Sequence, residues 1–288
     1  MINQKQHIFV PLHKDIICQY KEDGLFPGPH PPLHCHDGYE VLIFLGKDSL
    51  YYTENEGKIL QRGDIVCCAP YSFHCAIPQR DKDYIRILVN ISEPFLQSLN
   101  DESTNLSGMF HRCPPGNLNL ISVDEEALQE LVALTTNIEK ELKHAQFGST
   151  LLIHALLAQF LILLNRHAHQ PTESVFSSVM PPLVAEIFTY IDQHLTEDIS
   201  MDALASSLYH NGDYLCRRFK ATMGTSIQQF ILAKKVTLAR RLLGEGIPPG
   251  ETCFLAGFHN YSNFSRTFSK QTGMSPRQYQ QLQQTGPK

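Results

Sequence analysis

The chain has 288 residues, 42% of them hydrophobic and 18% charged, with a net charge of −5. The length suits about two domains, the composition is that of an ordinary globular protein, and an acidic balance does not by itself suggest a nucleic-acid binder. No apolar run near Met1 resembles a signal peptide, so a cytoplasmic protein is expected. Eight cysteines, at 18, 35, 67, 68, 75, 113, 216 and 253, show no C-x-x-C spacing. They read as reduced, mostly buried thiols rather than disulfides or metal ligands.

In chain order, residues up to about 95 read as strands. VLIFLG (41–46), SLYYTE (49–54), GKILQ (57–61), DIVCCAP (64–70) and YIRILVNI (84–91) are short, rich in β-branched and aromatic residues, and punctuated by Gly46, Gly57, Gly63 and Pro70. Many short strands with such turns imply an all-β sandwich or barrel. Residues 96–121 show no period and read as loop. Asp124–Lys143 carries apolar residues at 128, 131, 132, 134, 138 and 142, a helical stripe. Leu151–His167 is apolar nearly all round, which suits a helix buried in a core or at a subunit contact. Its most apolar run, Leu151–Leu164, is 14 residues and too short to cross a bilayer. His167–Pro182 is polar, Ser/Pro-rich and non-periodic, and reads as a linker. From Leu183 onward the pattern is wholly helical. Asp198 or Ser200 can cap a helix carrying Met201, Leu204, Ala205 and Leu208, and Asn211 suits the N-cap of the next.

The segment Tyr214–Phe230 recurs at Asn263–Tyr279 without a gap, at an offset of 49 residues. Arg217 aligns with Arg266, Phe219 with Phe268, Gly224 with Gly273, Ser226 with Ser275 and Phe230 with Tyr279. A repeat of this size marks a repeated supersecondary unit. Each copy has the shape of a helix-turn-helix, which lays a helix in the DNA major groove. Gly224 and Gly273 suit the left-handed position that ends a helix. Charge follows the repeat: residues 181–288 hold 11 Lys/Arg against 8 Asp/Glu, leaving −8 on the first 180.

These residues carry a resemblance to the AraC family of bacterial transcription regulators. It covers roughly 183–284 and rests on LA (204–205), YLCRRFK (214–220), Gly224, Ala239–Leu242–Leu243, AGF (256–258), NYSNFSRTFSK (260–270) and GMSPRQY (273–279). The resemblance implies an all-α domain with two helix-turn-helix units, at about 200–224 and 249–273, joined by one long helix near Ser226–Gly244. It implies recognition faces at Asp213, Cys216, Arg217 and Lys220, and at Tyr261, Ser262, Ser265, Arg266 and Ser269. Arg217 and Arg266 are expected to read base edges or clamp phosphates. Arg218, Lys220, Lys270 and the helix N-termini at Asn211 and Asn260 are expected to position the duplex through its backbone. Leu215, Phe219, Phe264 and Phe268 recur at helical spacing and read as core. The chain departs from the family pattern at Tyr209, a turn position where glycine is common. Cys253 stands where alanine is usual, Lys235 where arginine is usual, and Asp213 puts an acid on a face expected to meet DNA.

The front domain has its own signature: Gly28, His34, His36 and Glu40, followed by Gly63, Pro70 and His74. It resembles the two motifs of the cupin barrel, whose metal-binding members hold a divalent ion with three histidines and a glutamate. Even offsets place 34, 36 and 40 on one face of a single strand. Three readings are open: a catalytic metal, a metal used structurally or in sensing, and a pocket or packing motif without metal. The third is preferred because Ser72 replaces the glycine of the second motif and His74 comes one residue early. The expected ligand-binding set is therefore His34, His36, Tyr39, Glu40 and His74, with no metal and no cofactor, for a small polar effector such as a sugar.

The expected fold class is α+β and multidomain. Residues 1–167 would form an effector-binding and dimerisation domain, a cupin-like β-barrel at about 8–95 followed by helices at about 122–167. A linker at 168–182 leads to the DNA-binding domain at 183–284. The expected function is transcription regulation by a homodimer, with no enzyme activity. Its partners are duplex operator or promoter DNA, a small-molecule effector and RNA polymerase, with no membrane. Two recognition helices would enter major-groove segments about 34 Å apart. The alternative is a metal-dependent cupin oxygenase or isomerase fused to a DNA-binding domain.

Overall fold

The computed structural model describes residues 8–23, 31–78, 84–169 and 178–285. Gly28, and residues 170–177 of the expected linker, lie outside them. The chain divides into two compact units, 10–180 and a helical unit from Pro181 onward that also takes in Ile8 and Phe9.

The first unit contains strands β1 (Phe9–Val10), β2 (Ile16–Asp23), β3 (Cys35–His36), β4 (Tyr39–Phe44), β5 (Ser49–Tyr52), β6 (Gly57–Leu60), β7 (Asp64–Cys68), β8 (Cys75–Ile77) and β9 (Tyr84–Ile91). A short helix α1 (Glu93–Ser98), a 3-10 turn at Gly108–His111 and strand β10 (Leu120–Ser122) come next. The long helices α2 (Glu125–Lys143) and α3 (Ser149–Ala168) complete it. One antiparallel sheet has the order β10-β7-β4-β9-β2 and another β6-β5-β8.

Alternation along the strands layers the unit. Tyr39, Val41, Ile43, Ile65, Cys67, Ile87, Val89 and Ile91 face α2 and α3 in one core. Leu42, Phe44, Val66, Cys68 and Leu88 lie in a second, with Tyr51 and Leu60 of the smaller sheet. Because both faces of β4 and β7 are covered, these strands read as unbroken apolar runs. The architecture is sheet-rich, as expected, but no closed barrel forms among the described residues. Among the described residues the edge strands β2 and β10 find no backbone partner in the smaller sheet, so the two sheets meet through side chains.

Residues 96–121 are not simple loop, as the end of α1, the 3-10 turn and most of β10 fall within them. Helix α3 is also longer than its apolar run, with 20 residues, and by length and composition alone could cross a membrane. One face of it packs into this unit's core. Leu157, Phe160, Leu161 and Leu164 are fully buried. Asn165 donates to Leu106 O at 3.1 Å and accepts from Met109 N at 3.1 Å.

The second unit is all-helical: α4 (Pro182–Gln193), α5 (Met201–Ser207), α6 (Gly212–Met223), α7 (Ile227–Gly244), α8 (Pro249–Leu255), α9 (Tyr261–Thr272) and α10 (Pro276–Thr285). The internal repeat extends to the caps. Asn211 accepts from Asp213 N and Asn260 from Asn263 N. Gly224 and Gly273 end α6 and α9 at φ 69° and 78°. Ser226 pairs with Gln229 at the head of α7, and Ser275 with Gln278 at the head of α10. The aromatic pairs recur too: Phe219 sits 5.9 Å from Phe230, and Phe268 5.5 Å from Tyr279.

The two turns solve one conformational problem with different residues. Tyr209 and Gly257 both hold left-handed φ, 55° and 77°, before their recognition helices. Gly257 is confined, since a Cβ there would lie 2.8 Å from Thr196 Cα and 2.9 Å from Leu195 O. Tyr209 is 94% exposed, so its side chain contributes little packing to offset the strain. A left-handed non-glycine residue costs about 1–2 kcal/mol, partly offset by the entropy glycine would lose on folding. Tyr209→Gly is therefore expected to stabilise this unit by about 0.5–1 kcal/mol in urea unfolding, and Gly257→Ala to destabilise it by more than that. A loss of stability in Tyr209→Gly would contradict this account of the turn.

Candidate functional site

Helices α6 and α9 each bury an apolar stripe and expose a polar face. Leu215 and Phe219, and Phe264 and Phe268, are fully buried. Asp213, Arg217, Arg218 and Lys220 on α6, and Tyr261, Ser262, Arg266 and Lys270 on α9, are exposed, while Cys216 and Ser265 are half-buried. The side chains of Arg217, Arg218, Lys220, Arg266 and Lys270 make no ion pair or hydrogen bond among the described residues. Some surface cations elsewhere are paired, as Arg62 is with Glu125, Lys143 with Glu139 and Lys234 with Asp192. Five unpaired cations on two helix faces are free to meet phosphates or base edges. The Asn211 and Asn260 side chains are occupied as caps.

A residue that entered the sequence reading only as a departure from the family pattern ties this region together. Lys235 on α7 is 7% exposed, and its Nζ donates to Glu197 O at 2.9 Å and Gly257 O at 2.7 Å. Glu197 precedes α5 and Gly257 sits between α8 and α9, so one ammonium fastens both helix-turn-helix units to the helix between them.

In the first unit, His34, His36, His74 and Glu40 converge, though not from one strand. His34 pairs with His74 in an isolated antiparallel bridge, His36 lies on β3 and Glu40 on β4. The chain breaks between the strands at Asp37 and Gly38, where a Cβ on Gly38 would meet Ile91 O at 2.6 Å. The ring centroids of His34, His36 and His74 are 4.6–5.4 Å apart. Glu40 lies 3.2 Å from His36 Nε2 through one oxygen and 3.2 Å from His74 Nε2 through the other. Register brings Asn90 opposite Glu40, and its Nδ2 donates to Glu40 Oε2 at 2.8 Å.

Tyr39 does not join this cluster. It neighbours Glu40 on a strand and so points to the other face, where its ring packs 4.6 Å from Phe110. Burial and the nearby Glu93 push its phenol up to about 12. A cavity of about 390 Å³ adjoins the cluster instead, lined by Cys67, Cys68, Phe73, His74, Phe110, His111, Cys113 and Asn119 among others. Of the expected ligand set only His74 reaches it. Its wall at 110–119 comes from the segment that showed no period. Asn119, 5% exposed, leaves its Oδ1 there without a hydrogen-bond partner.

Electrostatics in the cluster are strongly coupled. Burial alone would raise the Glu40 carboxyl, but His36 and His74 outweigh it and hold it well below the carboxylate range. Burial would lower His74, yet Cys68 and Glu40 raise it well above the usual imidazole value. Burial, then the two other imidazoles, push His34 down to about 3. Three imidazoles and a carboxylate are a donor set suited to Fe, Mn, Ni or Zn. The buried Nε2 atoms of His36 and His74 have no hydrogen-bond partner. On that observation the residues present fit a divalent cation.

Two helix-turn-helix units on one long helix, each presenting an exposed, cation-bearing recognition helix, define a helix-turn-helix DNA-binding domain. Residues 204–282 match a family described as a helix-turn-helix domain. Over 149 residues the chain is 28% identical to a putative AraC-like transcription regulator of Streptomyces antibioticus, covering 50% of this chain and 49% of that one. It is 37% identical over 95 residues to the transcriptional regulator LumQ of Photobacterium leiognathi, covering 33% of this chain and 38% of LumQ. It is 24% identical over 267 residues to the melibiose operon regulatory protein of Escherichia coli K12, covering 90% and 87%. Among solved structures, it is similar to the C-terminal domain of AraT, a response regulator from Geobacillus stearothermophilus, at 28% identity and a TM-score of 0.36, over 36% of this chain and 88% of that one. The chain spans less than half the length of the first curated relatives it matches, 38% and 49%.

Proposed function

We propose that this chain is a cytoplasmic transcription regulator that binds duplex DNA through α6 and α9 and responds to a small molecule through its first unit. The observation that carries the reading is the pair of repeated recognition helices whose cations have no intramolecular partner. The regulators it resembles support it, and none of the relatives named here is an enzyme, which speaks against the cupin-enzyme alternative. Arg217 and Arg266 read bases, and Arg218, Lys220 and Lys270 engage phosphates. The effector site is the cavity beside the histidine cluster, a cupin-like sensor in role, with Asn119 as acceptor for a donor group on the ligand. Homodimerisation through α2 and α3 accords with the exposed Phe147, Leu151 and Leu152, of which Leu151 is 76% exposed. RNA polymerase contacts follow from the regulatory role, with no surface assigned.

A gel shift on the DNA upstream of the gene tests the reading. If four to six phosphates are neutralised, log affinity falls against log salt with a slope of about −4 to −5. A full chain that binds this DNA no better than a scrambled duplex would overturn it.

A further inference from the structure

We infer that Tyr209, in the turn between α5 and α6, is a DNA contact whose hydroxyl donates to a backbone phosphate. The inference rests on the DNA-binding reading and adds a residue to it. Among the described residues, three non-glycine residues hold left-handed φ: Asp48, Tyr71 and Tyr209. The Asp48 side chain accepts from Gln61 Nε2 at 2.7 Å. The Tyr71 amide donates to His36 O at 2.7 Å, and the residue is half-buried. At the third position the Tyr209 amide donates to Ser206 O at 3.3 Å, and the next amide, His210 N, to Ala205 O at 3.0 Å. Glycine would make the same backbone bonds without the steric cost. The Tyr209 side chain is 94% exposed and makes no hydrogen bond or ring contact among the described residues. Strain kept at a residue whose side chain does nothing for the fold points to a role outside it.

The two helix-turn-helix turns use their side chains differently. The second buries Phe258, which is 4% exposed. The first leaves Tyr209, His210 and Asn211 all exposed. His210 turns its ring back toward Tyr214, with centroids 5.5 Å apart, and Asn211 caps α6. Of the three, Tyr209 is the one with no task inside the domain. In a helix-turn-helix the first helix crosses the phosphate backbone and the second enters the groove, so the turn between them lies against phosphates. A tyrosine hydroxyl is among the donors that bind phosphate oxygens, and such a contact positions the protein without reading sequence. Being neutral, the side chain releases no counterion. Its contribution opposes the repulsion of phosphate by Asp213, four residues on.

The test is a gel shift of the full chain on its upstream DNA and on a scrambled duplex, with Tyr209→Phe and Tyr209→Gly beside the wild type. Tyr209→Phe keeps the ring and the backbone conformation. It is expected to lower affinity for both duplexes by about 5- to 10-fold while the urea midpoint stays unchanged. Tyr209→Gly is expected to lower affinity at least as far while raising the urea midpoint, a combination that a merely structural role would not produce. The slope of log affinity against log salt should keep its wild-type value in both, whereas Lys220→Ala should make it shallower by about 1. Tyr209→Phe binding both duplexes as the wild type does would overturn the inference. So would a loss confined to the preferred sequence, which would make Tyr209 a base contact. A wild-type chain with no preference for the upstream DNA is a separate result, and it would overturn the DNA-binding reading and this inference with it.

Discussion

Replacing Arg266 by alanine is expected to lower affinity for the operator by about 5- to 150-fold, the equivalent of losing one bidentate contact to guanine. The side chain is exposed on α9 and makes no ion pair or hydrogen bond among the described residues, so its loss should leave circular dichroism and unfolding unchanged. The effect should concentrate on the preferred sequence. Affinity for random duplex should change far less, because phosphate contacts by Lys270 and its neighbours remain. Arg217→Ala is expected to act in the same direction and more weakly, because Asp213 on the same helix face repels phosphate. Competition gel shifts with operator and scrambled duplex, at one fixed salt concentration, separate the two terms. Equal losses on both duplexes would make Arg266 a phosphate contact.

The second large effect is predicted at Lys235. Lys235→Met keeps the aliphatic stem but strands the carbonyls of Glu197 and Gly257 in a site where the residue is only 7% exposed. Each bond to an ammonium contributes about 1.5–3 kcal/mol, so the helical unit should lose about 3 kcal/mol in urea unfolding. DNA binding should fall with it, although Lys235 is buried away from the recognition faces. The ammonium holds the second turn through Gly257 and the approach to α5 through Glu197. Lys235→Arg should keep most of both properties, since a guanidinium can also serve two acceptors. A loss below about 1 kcal/mol in Lys235→Met would mean that water replaces the lysine there.

Legibility varied with how local the determining physics is. The helix-turn-helix units were readable because caps, turn glycines and the Phe219 and Phe268 stripes are written within 20-residue windows and written twice. Strands β4 to β7 and β9 were readable because Gly46, Gly57, Gly63 and Pro70 separate apolar runs, while the three-residue β8 was not. Strand β2, IICQYKED, was not, since it is an edge strand ending in charge, specified by pairing with β9. Residues 96–121 carried no period because α1, the 3-10 turn and β10 are each shorter than a repeat can show.

In the candidate sensor site the residue types were legible and their arrangement was not. Parity placed His34, His36 and Glu40 on one strand. The chain turns at Gly38, and the groups meet through the His34–His74 bridge and the β4–β9 register. Tyr39 was misplaced by the same adjacency that placed Glu40, because successive strand residues face opposite ways. Asn90, Asn119 and Lys235 act through contacts 50, 10, 38 and 22 residues away in sequence, distances over which no local pattern survives.

The most direct test of the central claim is a hydroxyl-radical footprint of the full chain on its upstream DNA. Two recognition helices on one scaffold predict two protected patches on one face of the duplex, about 10 base pairs apart for each bound chain. Arg266→Ala should weaken one patch and Arg217→Ala the other. A single patch, unaffected by either substitution, would contradict the account.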